Sequence, residues 1–114
     1  MASDGSDMVM DKLALRRECE RRKACVAALA AVADYVRRNS SLFVTQGPRM
    51  LTRALAEQKK QRVEAIAEKI ASLAGTAKQG AATYGGFEAL LGNLHKLGFF
   101  PETSLVAAVA RAFT

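Results

Sequence analysis

ACVAALAAVA, residues 24–33, contains no charged side chain. As a helix it would be apolar around its whole circumference, and such a helix needs cover on more than one face. One neighbouring helix cannot supply that. The segment therefore belongs at the centre of a three- or four-helix bundle, or beneath a partner. The residues just before it are opposite in character: Arg16, Arg17, Arg21, Arg22 and Lys23 fall within eight positions. That basic stretch is either the solvated end of a buried helix or a binding surface.

Composition supports helices throughout. Alanine supplies 22 of the 114 residues and tryptophan none; alanine is the best helix former and a poor strand residue. No long stretch alternates apolar and polar residues as a strand does. The length suits one domain with a modest core. The expected fold is all-α: a small bundle of two long antiparallel helices plus a shorter C-terminal helical hairpin.

Outward from the opening stretch, residues 1–7 are small and acidic and read as a disordered tail, with residues 8–114 as a single domain. Helix one is expected from Met8 to Arg38, with Leu15, Cys19, Val26, Leu29, Ala33 and Val36 on a buried seam and Arg22 interrupting it. The interruption means that the seam opens toward the amino-terminal end, so either the first turns project beyond the bundle or Arg22 meets an acid. Asn39, Ser40 and Ser41 end that helix, and Leu42, Phe43 and Val44 fold back over the bundle end. Pro48 suits the first turn of helix two. This helix would reach Ala77 and bury Leu51, Leu55, Val63, Ile66, Ile70 and Leu73, with Lys60 and Glu64 placed to pair. GTAKQGAATYGG, residues 75–86, reads as a loop or fraying end. A short helix from Phe87, stopped by Gly98, and a last one from Pro101 complete the hairpin.

The formal charge of +6 is unevenly placed. Asp4, Asp7 and Asp11 make residues 1–11 purely acidic, whereas residues 12–24 and 46–62 are each +4. Arg16, Arg17, Arg21, Arg22 and Lys23 in the first basic segment, and Lys59, Lys60 and Arg62 in the second, are candidate contacts to phosphate or an acidic partner. Cys19 and Cys25, six apart on one helix, neither pair with each other nor share a metal. They read as reduced thiols of an intracellular protein, cytoplasmic in placement. No uncharged run approaches the roughly 20 residues of a membrane span.

Chemistry finds little support. His95 is the only histidine and has no acid within helical reach, so neither serine nor cysteine triads can be assembled around it locally. One histidine and two separated cysteines make no zinc site, TYGGFE is not a phosphate loop, and no catalytic residue, metal or cofactor is expected. Nucleic-acid binding has the arginines in its favour. Glu18 and Glu20 inside the cluster, and the lack of interleaved aromatic residues, stand against it. LALRRE, residues 13–18, resembles the Leu-Tyr-Arg opening of a family of mitochondrial assembly factors, but Ala14 stands where the tyrosine would be, and no expectation is taken from it. What remains favoured is a non-enzymatic protein–protein interaction or assembly module: an adaptor, complex subunit or coiled-coil homo-oligomer. Leu42, Phe43, Phe99 and Phe100, apolar residues in connections, are its candidate anchors. A basic helical nucleic-acid-binding protein is the alternative.

Overall fold

The computed structural model of the chain describes residues 4–41 and 53–114, with side chains from residue 12 onward. Among them are four α-helices and no strand: α1 (Asp4–Asn39), α2 (Arg53–Lys78), α3 (Tyr84–Lys96) and α4 (Thr103–Phe113). The chain forms the all-α bundle that its alanine content implies.

On α1, Cys25, Leu29, Val32 and Val36 recur at steps of four, three and four and are buried, joined by Ala33. On α2, Val63, Ile66, Ala67, Ile70, Ala74 and Ala77 make the matching stripe. The two run antiparallel, as cross-links at successive levels show. Ser40 donates to Glu64 at 3.1 Å, Arg37 to Glu68 at 2.7 Å, and Arg22 lies against Gly80. The hairpin lies across this pair. Helix α3 packs on α2 and inserts Phe87 and Leu94; α4 packs on α1 and inserts Val109. Helix α1 is thus covered on two flanks, by α2 and α4, while Ala24, Ala27, Ala30 and Ala31 remain exposed on a third. Methyl groups cost little to leave in water, so the segment that is apolar all round does not need to be enclosed all round.

Several boundaries differ from expectation. Helix α1 begins at Asp4, ahead of Met8. Helix α2 carries straight through Gly75 to Lys78, because Ala74 and Ala77 on either side are core residues whose burial offsets the roughly 1 kcal/mol propensity cost of a mid-helix glycine. The turn comes at Gly80, whose φ is +76°. There the Gly80 N–H donates to Ala77 O at 2.9 Å and the Ala81 N–H to Thr76 O at 3.1 Å, a Schellman ending. Helix α3 begins at Tyr84 rather than Phe87, since the Thr83 hydroxyl accepts from the Gly86 N–H at 3.2 Å as its N-cap. At its far end Gly98, at φ +82°, repeats the Schellman pattern: its N–H donates to His95 O and that of Phe99 to Leu94 O, both at 2.9 Å. Leu55, expected on the buried stripe, is 47% exposed, and its neighbour Ala56 is buried instead. The seven-residue step from Ala56 to Val63 sets the stripe one position later. Pro48, Leu51 and residues 42–44 lie outside the described residues.

Candidate protein-interaction surface

The neighbours of α1 stop at the same level. Helix α2 turns away at Gly80, where an added Cβ would stand 2.8 Å from the Arg22 guanidinium. Helix α4 ends against Arg21, which donates from Nη2 to Phe113 O at 3.1 Å, while the Cys25 thiol donates to Ala112 O at 3.2 Å. Ahead of this level α1 continues back to Asp4, about 25 Å of helix at 1.5 Å per residue. The seam therefore opens as Arg22 foretold, and Arg22 also meets its acid, with Nε 3.1 Å from Glu18 Oε1.

Arg22 marks the flank of α1 that faces α2. Leu15, Cys19 and Val26 stand seven before, three before and four after it, so they share that flank. Beyond the end of α2 it is bare, with Leu15 66% exposed and Cys19 exposed; Val26, one turn inside that end, is half-buried against the core. Of the seam expected over residues 15–36, Leu29, Ala33 and Val36 are buried, Val26 is half-buried, and Leu15 and Cys19 are exposed. The amino-terminal half lacks cover because α2 is too short to reach it. A groove of about 440 Å³ opens where bare and covered halves meet, lined by Cys19, Arg22, Lys23, Val26, Ala27 and Lys78. Its rim carries three cations and no acid.

The basic stretch divides by role. Arg21 holds the last carbonyls of α4, a favourable place for a cation, and Arg22 is engaged by Glu18 and Gly80. Arg16, Arg17 and Lys23 are exposed and make no ion pair among the described residues. In the second segment Lys60 pairs with Glu64 at 3.8 Å. Arg62 instead joins Lys69 and Lys96 around Ala65, Ile66, Asn93 and Leu97 in a shallow groove of about 360 Å³. Lys59 is half-buried. The two segments do not merge. One sits at the level of Arg22 and the other near Ser40, some 27 Å apart along α1.

The four candidate anchors also separate. Phe99 is 6% exposed and meets Tyr35 edge-on at 6.4 Å between centroids, so it belongs to the core and is not presented to a partner. Phe100, next in the chain, is 69% exposed and stacks on His95 at 5.0 Å. Leu42 and Phe43 lie outside the described residues. Sequence reasoning missed the capping work of Arg21 and the burial of Ser40, which donates to Arg37 O at 2.9 Å as well as to Glu64. Both depend on tertiary neighbours that no local pattern announces.

Around the junction of α1, α2 and α4 a cleft of about 80 Å³ touches Glu18, Arg21, Arg22 and Cys25. It has room for a few water molecules and no more. Burial pushes the Cys25 thiol above its ordinary pKa, and the Arg21 charge pulls it partly back. The Cys25 thiol is therefore a poor nucleophile at neutral pH. Among the described residues no three of His, Cys, Asp and Glu gather as a metal would require. No helix there is long and apolar enough to cross a membrane. Comparison with family models, curated proteins and solved structures finds no match. The bare seam of α1 runs down to the cation-rimmed groove at its root.

Proposed function

We propose that this chain is a non-enzymatic protein–protein interaction module that assembles through the amino-terminal arm of α1. One observation carries the reading: Leu15 is 66% exposed on the same flank that α2 covers farther along. A large aliphatic side chain left in water there forgoes about 1.5–3 kcal/mol that burial would contribute. The flank is already the shape and polarity of a helix-packing surface.

Leu15→Glu tests this without disturbing the core. Since Leu15 touches no buried residue cluster, the variant should keep its helicity and unfold within about 0.5 kcal/mol of the parent. In native-mass analysis of cell extract, the parent chain should migrate in a complex and the variant at monomer mass. Identical masses for the two would remove the arm from the assembly.

The second reading is nucleic-acid binding through Arg16, Arg17 and Lys23, which make no ion pair among the described residues. The 27 Å gap between the two basic segments and the acids Glu18 and Glu20 on the arm weaken it. It differs from the first in its response to Leu15→Glu, which would leave phosphate contacts in place.

A further inference from the structure

The apolar strip of Leu15, Cys19 and Val26 has an edge, and the edge is basic. Lys12 and Arg16 stand eleven and seven residues before Lys23, about three and two helical turns, so the three line up along one side of the strip. All three are exposed and make no ion pair among the described residues. Lys78 of α2 joins Lys23 at the root, where both line the groove of about 440 Å³ with Cys19 and Val26. The acids nearby do not offset this row. Glu18 holds Arg22 at 3.1 Å, and Glu20 lies beyond the cations, on the side away from the strip. From residue 12 to residue 26 the surface runs about 21 Å, apolar along its middle and cationic along one side.

Two chemistries side by side decide what fits. Leu15, Cys19 and Val26 continue the spacing of Leu29, Ala33 and Val36, the seam on which α2 packs as a helix, so a helix suits the strip as well. A nucleic-acid strand would meet the cations and leave Leu15 in water. A flat anionic bilayer would not enter a groove walled by Lys78 of α2. A second copy of the strip would bring Lys12, Arg16 and Lys23 against the same three cations.

We infer that the arm binds an amphipathic helix of another protein, its apolar row edged with carboxylates, laid along Leu15 and Cys19 with one end in the groove at Val26. This rests on the interaction-module reading and names the partner's chemistry. Carboxylates along that helix neutralise Lys12, Arg16, Lys23 and Lys78. Arg22, the one polar residue within the strip, sets the register by the acid placed opposite it, as single polar seam residues do in coiled coils. About fourteen residues, four turns, span the strip.

Cys19 reports occupancy from inside the site. It is exposed, whereas Cys25 is 5% exposed and burial pushes its thiol up, so iodoacetamide should alkylate Cys19 first. The probe is a synthetic helix of about 18 residues with leucine at heptad positions a and d and glutamate at e and g. Its counterparts carry lysine in place of glutamate, or the same residues in scrambled order. At about ten times its Kd, the glutamate helix should slow Cys19 alkylation about tenfold by mass action. It should bind at least about tenfold more tightly than either counterpart in anisotropy titration at low salt. The variant Lys12→Glu with Arg16→Glu and Lys23→Glu should invert the preference and take the lysine helix instead. That set spares Arg21 and Arg22, which the fold uses, and circular dichroism checks its helicity. Should helicity be lost, Leu15→Glu decides alone, by weakening the glutamate helix about tenfold. Unchanged alkylation of Cys19, equal binding of both charged helices, or a folded variant that keeps the parent's preference would each overturn the inference. So would protection of Cys19 by a 20-nucleotide single strand or phosphatidylserine vesicles but not by the glutamate helix, or a dimer of the chain alone that this helix cannot displace. If no helix binds and yet Leu15→Glu abolishes a complex in extract, the module reading stands and the acidic helix falls.

Discussion

Gly75 and Gly80 look alike in the sequence, both in a stretch that reads as loop, yet one is inside a helix and the other ends it. Gly80 sits at φ +76°, where a Cβ is strained and would meet Arg22 at 2.8 Å. The guanidinium is the far end of a flexible side chain and can move, so the backbone term dominates. Gly80→Ala should lower unfolding free energy by about 1–2 kcal/mol in urea titration. Gly75 has helical backbone and nothing within 4 Å of an added Cβ. Gly75→Ala should raise stability by about 0.5–1 kcal/mol in the same titration. Glycine content told that a turn lay in residues 75–86. Which glycine made it depended on Ala74 and Ala77 meeting the core, a tertiary fact that local composition does not carry.

At the scale of elements, the α3–α4 turn separates two adjacent phenylalanines by the geometry of a helix ending. The Schellman bonds at Gly98 aim Phe99 back onto the helix that it follows, beside buried Leu94 and Tyr35. Phe100 is left outside against His95. Phe99→Ser should cost at least about 3 kcal/mol, the range of emptying a buried phenylalanine site, and lower the thermal midpoint sharply. Phe100→Ser should stay within about 0.5 kcal/mol. Equal midpoints for the two variants would contradict this placement. Gly98 as a stop signal was legible from the sequence, but the opposite fates of the two rings were not, because residue type is identical and only the turn geometry differs. The α1 seam is a similar case. Its spacing was legible through Leu15, Cys19, Val26 and Leu29, whereas its cover was not, since that is set by where α2 stops.

For the whole molecule, stability is graded along one helix. Val32 and Val36 of α1 are fully buried between α2 and the hairpin, while residues 12–17 are exposed on every side. Amide hydrogen exchange should follow that gradient. Protection near Val32 should approach the global unfolding free energy, and protection ahead of Arg21 should be close to nothing in dilute monomer. Uniform protection along α1 in dilute solution would refute the picture of an uncovered arm. Fold class, helix order and the projecting end were legible in alanine content, caps and the position of Arg22. The separation of the two basic segments follows from the antiparallel pairing of α1 with α2 that the sequence also implied, which sends them to opposite ends.

The bonds from Arg21 to Phe113 and from Cys25 to Ala112 span 92 and 87 positions of the chain. On a ribosome, α1 emerges long before α4 exists, so one flank of its apolar middle waits uncovered until almost all of these residues have been made. Contacts of such long range also slow closure of the native topology, since ordering the intervening chain precedes the gain from packing. Nascent chains stalled between α3 and α4 should accordingly be the most aggregation-prone species along the way to the finished bundle. Among the described helices, the first made is the last to be fully flanked.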